Sequence, residues 1–143
     1  MAITTKSLQN KITRASNFEK VQEQYADAFI EQSVAEYLHV LCLKYQMKPG
    51  DIIRQAQIER TYGYQIFNGT RKPSRDKLLQ LAFGFGLTLE ETQDLLKQSG
   101  KSLLYSRIKR DAACIFGLTH HLNVLEMQEL LASVSLPLFG EAT

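Results

Sequence analysis

Apolar positions recur along this chain at spacings of three and four, the period of an amphipathic helix, and turn residues punctuate them. Phe18, Val21, Tyr25 and Phe29 form the first stripe, and Ser16 with Glu19 forms a capping-box signature before it. Ser33 and Glu36 repeat the signature and predict a helix to about Gln46, with Val34, Leu38, Leu41 and Tyr45 inward. Pro49 suits the first turn of the next helix, where its missing N–H costs nothing, and Ile52, Ile53 and Ala56 face the core. A turn over Gln57, Ile58, Glu59 and Arg60 leads to a short helix from Arg60 to Asn68 with Ile66 inward. Ser74 opens a helix carrying Leu78, Leu79, Leu81 and Ala82, and Gly86 caps its end. Thr88 and Glu91 form a further capping box ahead of Leu95 and Leu96, and Ser99-Gly100 closes that helix. Leu103 to Leu118 predicts another helix, with Ile108, Ala112, Ile115 and Phe116 on one side. Asn123 starts the last, with Val124, Met127, Leu130 and Leu131 inward. The apolar tail from Ser133 to Phe139 either folds back on the bundle or docks on a second subunit.

The pattern predicts an all-α protein. Residues 1–15 read as a flexible arm, 16–99 as a helical domain with an N-terminal extension, and 100–143 as a C-terminal helical extension, packed on the same core or on a dimer partner.

The chain is organised around Asn68-Gly69-Thr70-Arg71-Lys72-Pro73-Ser74. Gly69 tolerates the left-handed conformation that closes a helix. Pro73 delays the next helix and Ser74 caps it. Two cations beside a helix end are a candidate phosphate grip. This N-G-x-R-K-P-S stretch, the L-L-x-L-A of Leu78 to Ala82, and Ile52, Ala56, Ile58, Gln65 and Ile66 before them resemble the helix-turn-helix of the phage-repressor (Xre, lambda-repressor-like) family. The resemblance covers roughly residues 34–98.

That resemblance implies a lambda-repressor-like five-helix bundle, with an extra N-terminal helix and about two extra C-terminal helices. It implies a sequence-specific transcriptional regulator that binds double-stranded DNA as a homodimer. The start of the Arg60–Asn68 helix would enter the major groove. Arg60, Thr61, Tyr62, Tyr64 and Gln65 are then the candidates for base edges, since Arg pairs bidentately with guanine and Gln with adenine. Asn68, Thr70, Arg71 and Lys72 are the candidates for phosphates.

The chain departs from the family pattern at several positions. Pro49 stands where many relatives have a phosphate-contacting Gln. Gln57 stands at a frequent Gly, and Ile53 at a frequent small residue. Gly63 replaces the usual core Ile or Val, and Phe67 the usual Glu. Tyr62, Tyr64 and Phe67 make the helix unusually aromatic, which suits an alternative function. They would anchor a protein partner on a repressor-like scaffold with little DNA binding. Alternatively, Tyr64 and Phe67 are partly buried and compensate for Gly63.

Composition is that of an ordinary globular domain, with 44% apolar and 22% charged residues in 143. A net charge of +2 gives no global argument for nucleic acid, but its distribution does. Lys48 to Lys77 holds seven cations against three anions, whereas Ser16 to Glu36 holds five anions against Lys20. Arg107, Lys109 and Arg110, beside Asp111, form a second basic cluster, read either as further phosphate contacts or as a solvated face.

Little else points to chemistry. Cys42 and Cys114 lie in apolar helical patterns and read as buried free thiols. His39 and Cys42 share a helix face at a possible metal spacing, but core packing is the simpler reading. Adjacent His120 and His121 diverge on a helix, and no phosphate-cradling Gly-rich fingerprint occurs. No enzyme, cofactor or metal is expected. No apolar run approaches a membrane span and the start lacks a signal-peptide core, so a cytoplasmic location is expected.

Overall fold

The structure, a computed structural model, describes residues 3–26 and 33–140. All regular elements among them are helices. The chain divides into two units, Met1–Glu31 and Gln32–Thr143.

The first unit holds α1 (Thr5–Arg14) and α2 (Phe18–Gln24). The pattern predicts an irregular arm over residues 1–15, yet residues 5–14 are helical. Thr4 caps them by accepting the Ser7 N–H at 3.1 Å. Leu8 and Ile12 stand four apart on α1, a pair too short to mark a helix by periodicity, and α1 buries none of its residues. The cap of α2 is Asn17, whose Oδ1 accepts from the Lys20 N–H at 3.3 Å, one residue later than the predicted Ser16. The helix predicted to carry Phe18, Val21, Tyr25 and Phe29 ends at Gln24, with Tyr25 as its C-cap, and Phe29 lies outside the described residues.

The second unit runs α3 (Val34–Tyr45), α4 (Pro49–Gln55), α5 (Arg60–Phe67), α6 (Arg75–Phe85), α7 (Leu89–Gln98), α8 (Lys109–Thr119) and α9 (Val124–Ser133). Helix α6 is its axis. Leu78, Leu79, Leu81 and Ala82 are fully buried, and Gln80, Phe83 and Phe85 nearly so. A helix apolar on all sides must be surrounded, and α4, α7 and α9 all pack on α6. Each fully buried Leu contributes about 1.5–3 kcal/mol relative to an exposed one. Gln80 is tolerated there because its Nε2 donates to the Ala56 carbonyl at 3.0 Å.

Side-chain caps set most of the boundaries. Ser33 and Ser74 accept from Glu36 and Lys77 N–H groups. Thr88 with Glu91, and Asn123 with Glu126, form complete capping boxes. Gly86 ends α6 at φ +73°, where its missing Cβ removes the steric cost.

Two expectations for the C-terminal region fail. The helix predicted from Leu103 begins only at Lys109. Residues 101–108 instead form a loop that buries Leu104 and is tied to Gln93 by paired bonds at 2.8 and 2.9 Å. The buried face of α8 is also turned away from the predicted one, although Ile115 stays half-buried against the core. Asp111, Cys114, Gly117 and Leu118 are buried, while Ile108 and Phe116 are exposed. The reason is electrostatic, because Asp111 turns inward to meet Arg75.

Arg75 donates to Asp111 through both terminal nitrogens, at 2.9 and 3.0 Å, and also to the Ser102 and Leu103 carbonyls. The neighbouring residues repeat the pairing in the opposite sense. Arg110 donates to both oxygens of Asp76 at 2.8 and 3.0 Å, and to the Pro137 and Leu138 carbonyls. Two Arg-Asp dipeptides at the starts of α6 and α8 thus clamp the loop and the C-terminal tail together. The tail folds back. Phe139 is buried against Phe83, and its backbone bonds both ends of the Gln128 amide.

Candidate nucleic-acid interface

The turn between α4 and α5 is made by Gln57, which holds φ +58°, a left-handed conformation that favours Gly. Its carbonyl is among the acceptors reached by Gln80 Nε2, and Ile58 beyond it is buried. Glu59 then caps α5. Its carboxylate accepts the Thr61 N–H at 3.0 Å and the Tyr62 N–H at 2.8 Å. Those backbone donations from Tyr62 and Thr61 hold the Glu59 carboxyl below its ordinary range. The cap is absent from the sequence expectations, because Glu is a less frequent cap than Asp, Asn, Ser or Thr.

Helix α5 sits close to α4 because Gly63 lies on Ile53. A Cβ at position 63 would fall 2.6–2.9 Å from three Ile53 carbons. The bulk that the family pattern puts on α5 is carried by α4 instead. Ile53 therefore compensates for Gly63, the role considered for Tyr64 and Phe67. Tyr64 is 42% exposed, and its hydroxyl reaches toward Gly50 at the start of α4.

Phe67 is 3% exposed and packs edge-on against His39, whose Nε2 bonds the Phe67 carbonyl at 2.9 Å. The expectation that Phe67 anchors a protein partner is therefore corrected. Its side chain faces the core because α3 covers that side of α5. The same bond directs His39 to Phe67 rather than to Cys42.

The nine residues singled out by the sequence lie along α5 and the loop after it. Arg60, Thr61, Tyr64, Asn68, Thr70, Arg71 and Lys72 are exposed, and Tyr62 and Gln65 are half-buried. The Arg71 guanidinium lies 4.5 Å from the Tyr62 ring centroid, with the Lys77 ammonium 5.5 Å from the same ring. Arg60 stands 5.8 Å from the Tyr64 ring. Arg71 Nε donates to Gln65 Oε1 at 2.9 Å, which fixes the amide orientation of a candidate base reader. Lys77 enters this surface unannounced. Its place in the charge run was visible, but its reach back to Tyr62 depends on the angle between α5 and α6.

The loop itself is ordered by its own bonds. Asn68 Oδ1 accepts from the Thr70 N–H at 3.0 Å and from the Thr70 hydroxyl at 2.7 Å. The Gln65 carbonyl accepts the Thr70 and Arg71 N–H groups at 3.1 and 3.2 Å. Those two N–H groups are already used, which leaves the Arg71 and Lys72 side chains as the loop's cationic candidates for holding an anion. Among the described residues none of Arg60, Arg71, Lys72 and Lys77 is within 4.0 Å of a carboxylate oxygen. Arg75 and Arg110, by contrast, are committed to Asp111 and Asp76. Neither guanidinium is therefore a free surface cation.

Among the described residues, no helix is long and apolar enough to cross a membrane. No family model matches the chain, and no curated protein and no solved structure shows significant similarity to it.

Proposed function

We propose that this chain is a sequence-specific DNA-binding transcriptional regulator of the phage-repressor type, a lambda-repressor-like bundle acting in the cytoplasm as a homodimer. The observation that carries the reading is the cationic and aromatic surface of α5 and its following loop. Arg60 lies over the Tyr64 ring and Arg71 and Lys77 over the Tyr62 ring, Lys72 stands beside Arg71 in the loop, and among the described residues none of the four has a carboxylate oxygen within 4.0 Å. Phosphate affinity needs such unpaired cations, and base reading needs donors and acceptors on a narrow convex element.

In this reading the start of α5 enters the major groove. Arg60, Thr61 and Gln65 meet base edges, each good bidentate pair discriminating by about 1–3 kcal/mol. Tyr62 and Tyr64 hold Arg71 and Arg60 in place, and Tyr62 presents its hydroxyl to bases or phosphates. Arg71, Lys72 and Lys77 grip the backbone, with Asn68 and Thr70 shaping the loop. One short helix reads only a few base pairs, which is the reason for a dimer on two half-sites.

Enrichment of bound duplexes from a random-sequence pool, followed by sequencing, tests the proposal. A motif with two half-sites about one helical turn apart is the expected result. An unenriched pool rejects sequence reading. Loss of a protein partner on a paired Tyr62→Ala and Tyr64→Ala change, with folding intact, would move the function to protein docking.

A further inference from the structure

Helix α8 carries an apolar stripe that the bundle leaves largely uncovered. Ile108, Ala112, Ile115 and Phe116 recur at helical spacing, which places them along one side. The side holding Cys114, Gly117 and Leu118 is the one buried in the core. Ile108 is 51% exposed and Phe116 48%, with Ala112 and Ile115 half-buried between them. Ala112 stands midway between Ile108 and Phe116, so the centre of the stripe is its smallest side chain.

The two ends of the stripe are charged in opposite senses. Arg107 and Lys109 flank its start. Both are exposed, and among the described residues neither has a carboxylate oxygen within 4.0 Å. They stand at a helix N-terminus, the positive end of the macrodipole, where cations are unfavourable. No side chain caps α8, and Asp111 in its first turn is committed to Arg75. The last turn of α8 is the negative end and carries no basic residue, and exposed Glu126 and Glu129 follow on α9. Such a face is complementary to itself when reversed. We infer that a second copy of this chain covers it, the two α8 helices packing antiparallel about a two-fold axis at Ala112. Ile108 of each copy then packs on the partner's Phe116. Ala112 meets its own counterpart and lets the helices approach to about 8 Å, the near end of the usual range. Arg107 and Lys109 reach the negative end of the other helix. An anionic membrane would satisfy the cations alone and repel the opposite end of the stripe.

This pairing supplies the dimer that the DNA-binding reading needs, and that connection rests on the reading. The pairing itself does not. Helix α8 packs on α7 and α9, whereas α5 packs on α3 and α4, so the pairing engages none of the residues that would read DNA. A two-fold contact uses the same patch on both copies and closes at two.

The test is sedimentation equilibrium of the full chain without DNA, joined to oxidative cross-linking. The dimer should predominate at about 100 µM chain. Phe116→Glu should raise its dissociation constant at least about a hundredfold, by burying a carboxylate without a partner. Leu43→Glu, at an apolar side chain 81% exposed on α3, should change it less than about twofold. Lys109→Glu should raise it about tenfold, although the new charge favours its own helix dipole. Ala112→Cys should link two chains on oxidation, because a residue on the axis meets itself and Cys42 and Cys114 are buried. A monomer at about 100 µM overturns the inference, including one that binds phosphatidylserine vesicles instead. A dimer that survives Phe116→Glu with far-ultraviolet circular dichroism intact, or that Leu43→Glu dissolves in its place, overturns it by moving the interface. If Phe116→Glu does not fold, Ala112→Cys decides, and absence of the link overturns the antiparallel pairing. A dimer that binds no duplex supports the interface and rejects the DNA reading. Duplex bound by a monomer rejects the interface and keeps the DNA reading, so the two failures are distinguishable.

Discussion

Ile53 and Gly63 share one space at the crossing of α4 and α5, the Ile side chain filling the place where a Cβ on residue 63 would stand. Gly63→Ala gains about 1 kcal/mol of helix propensity but overpacks a buried contact, which typically costs about 1–3 kcal/mol. Chemical denaturation should therefore show net destabilisation. Ile53→Ala alone should cost about 2–5 kcal/mol through the cavity it leaves. The double change should cost clearly less than the sum of the two. Strict additivity would show that the two residues do not compete for space.

Arg75 and Asp111 are the more buried of the two reciprocal ion pairs, with side-chain exposures of 24% and 5%. Burial alone would raise the Asp111 carboxyl. Donation from Arg75 and from the Tyr105 N–H outweighs it and holds the group below its usual range. Asp111→Ala strands a guanidinium and should cost about 3–5 kcal/mol in urea denaturation. Lys109→Ala, on the exposed face of the same helix, should stay within about 0.5 kcal/mol.

Glu91 joins the first turn of α7 to the end of α3. It accepts from the Thr88 N–H at 3.0 Å, from the Lys44 ammonium at 2.6 Å and from the Tyr45 hydroxyl. Burial opposes its charge, but these donors win and bring its carboxyl down from 4.5 to about 2. A depressed carboxylate contributes stability that is complete above its unfolded value and is lost as pH falls through its folded one. Thermal melts should therefore decline as pH falls from 4.5 toward about 2. Glu91→Gln should lower stability by about 1–3 kcal/mol at neutral pH and flatten that decline. An unchanged acid slope in the variant would remove Glu91 from the account.

Much of this architecture is written in local signals. Ser33, Ser74, Thr88 and Asn123 each announce a helix start, and the buried leucines of α6 announce the axis. What sequence could not convey is which distant groups meet. Asp111 reads as a solvated charge until Arg75, 36 positions away, is seen to draw it inward. That pairing goes with Asp111 lying on the buried face of α8. Gly63 and Ile53 stand out separately as departures, and only their contact shows that one answers the other. Phe67 could be read as a surface anchor or as partly buried, and only the packing of α3 on α5 decides for burial. The nine candidate contacts were legible because they sit within one helix and one loop. Lys77 was not, because it reaches that surface from α6.

Changing Arg71 and Lys72 together to Ala should weaken binding to all duplexes alike. The slope of log affinity against log salt should become shallower by about 1.8, two phosphate contacts at roughly 0.9 each. Melting temperature should barely change, as both side chains are exposed. An unchanged slope would assign the phosphate grip to other residues.

The most direct test of the central claim is fluorescence-anisotropy titration of the full chain with labelled duplex at about 50 mM and 200 mM salt. The account predicts binding at the lower salt that weakens about 10³-fold or more at the higher, as expected for a dimer with six to ten phosphate contacts. Absence of binding at the lower salt would contradict it. The unpaired cations around Tyr62 and Tyr64 would then belong to a surface for a protein partner.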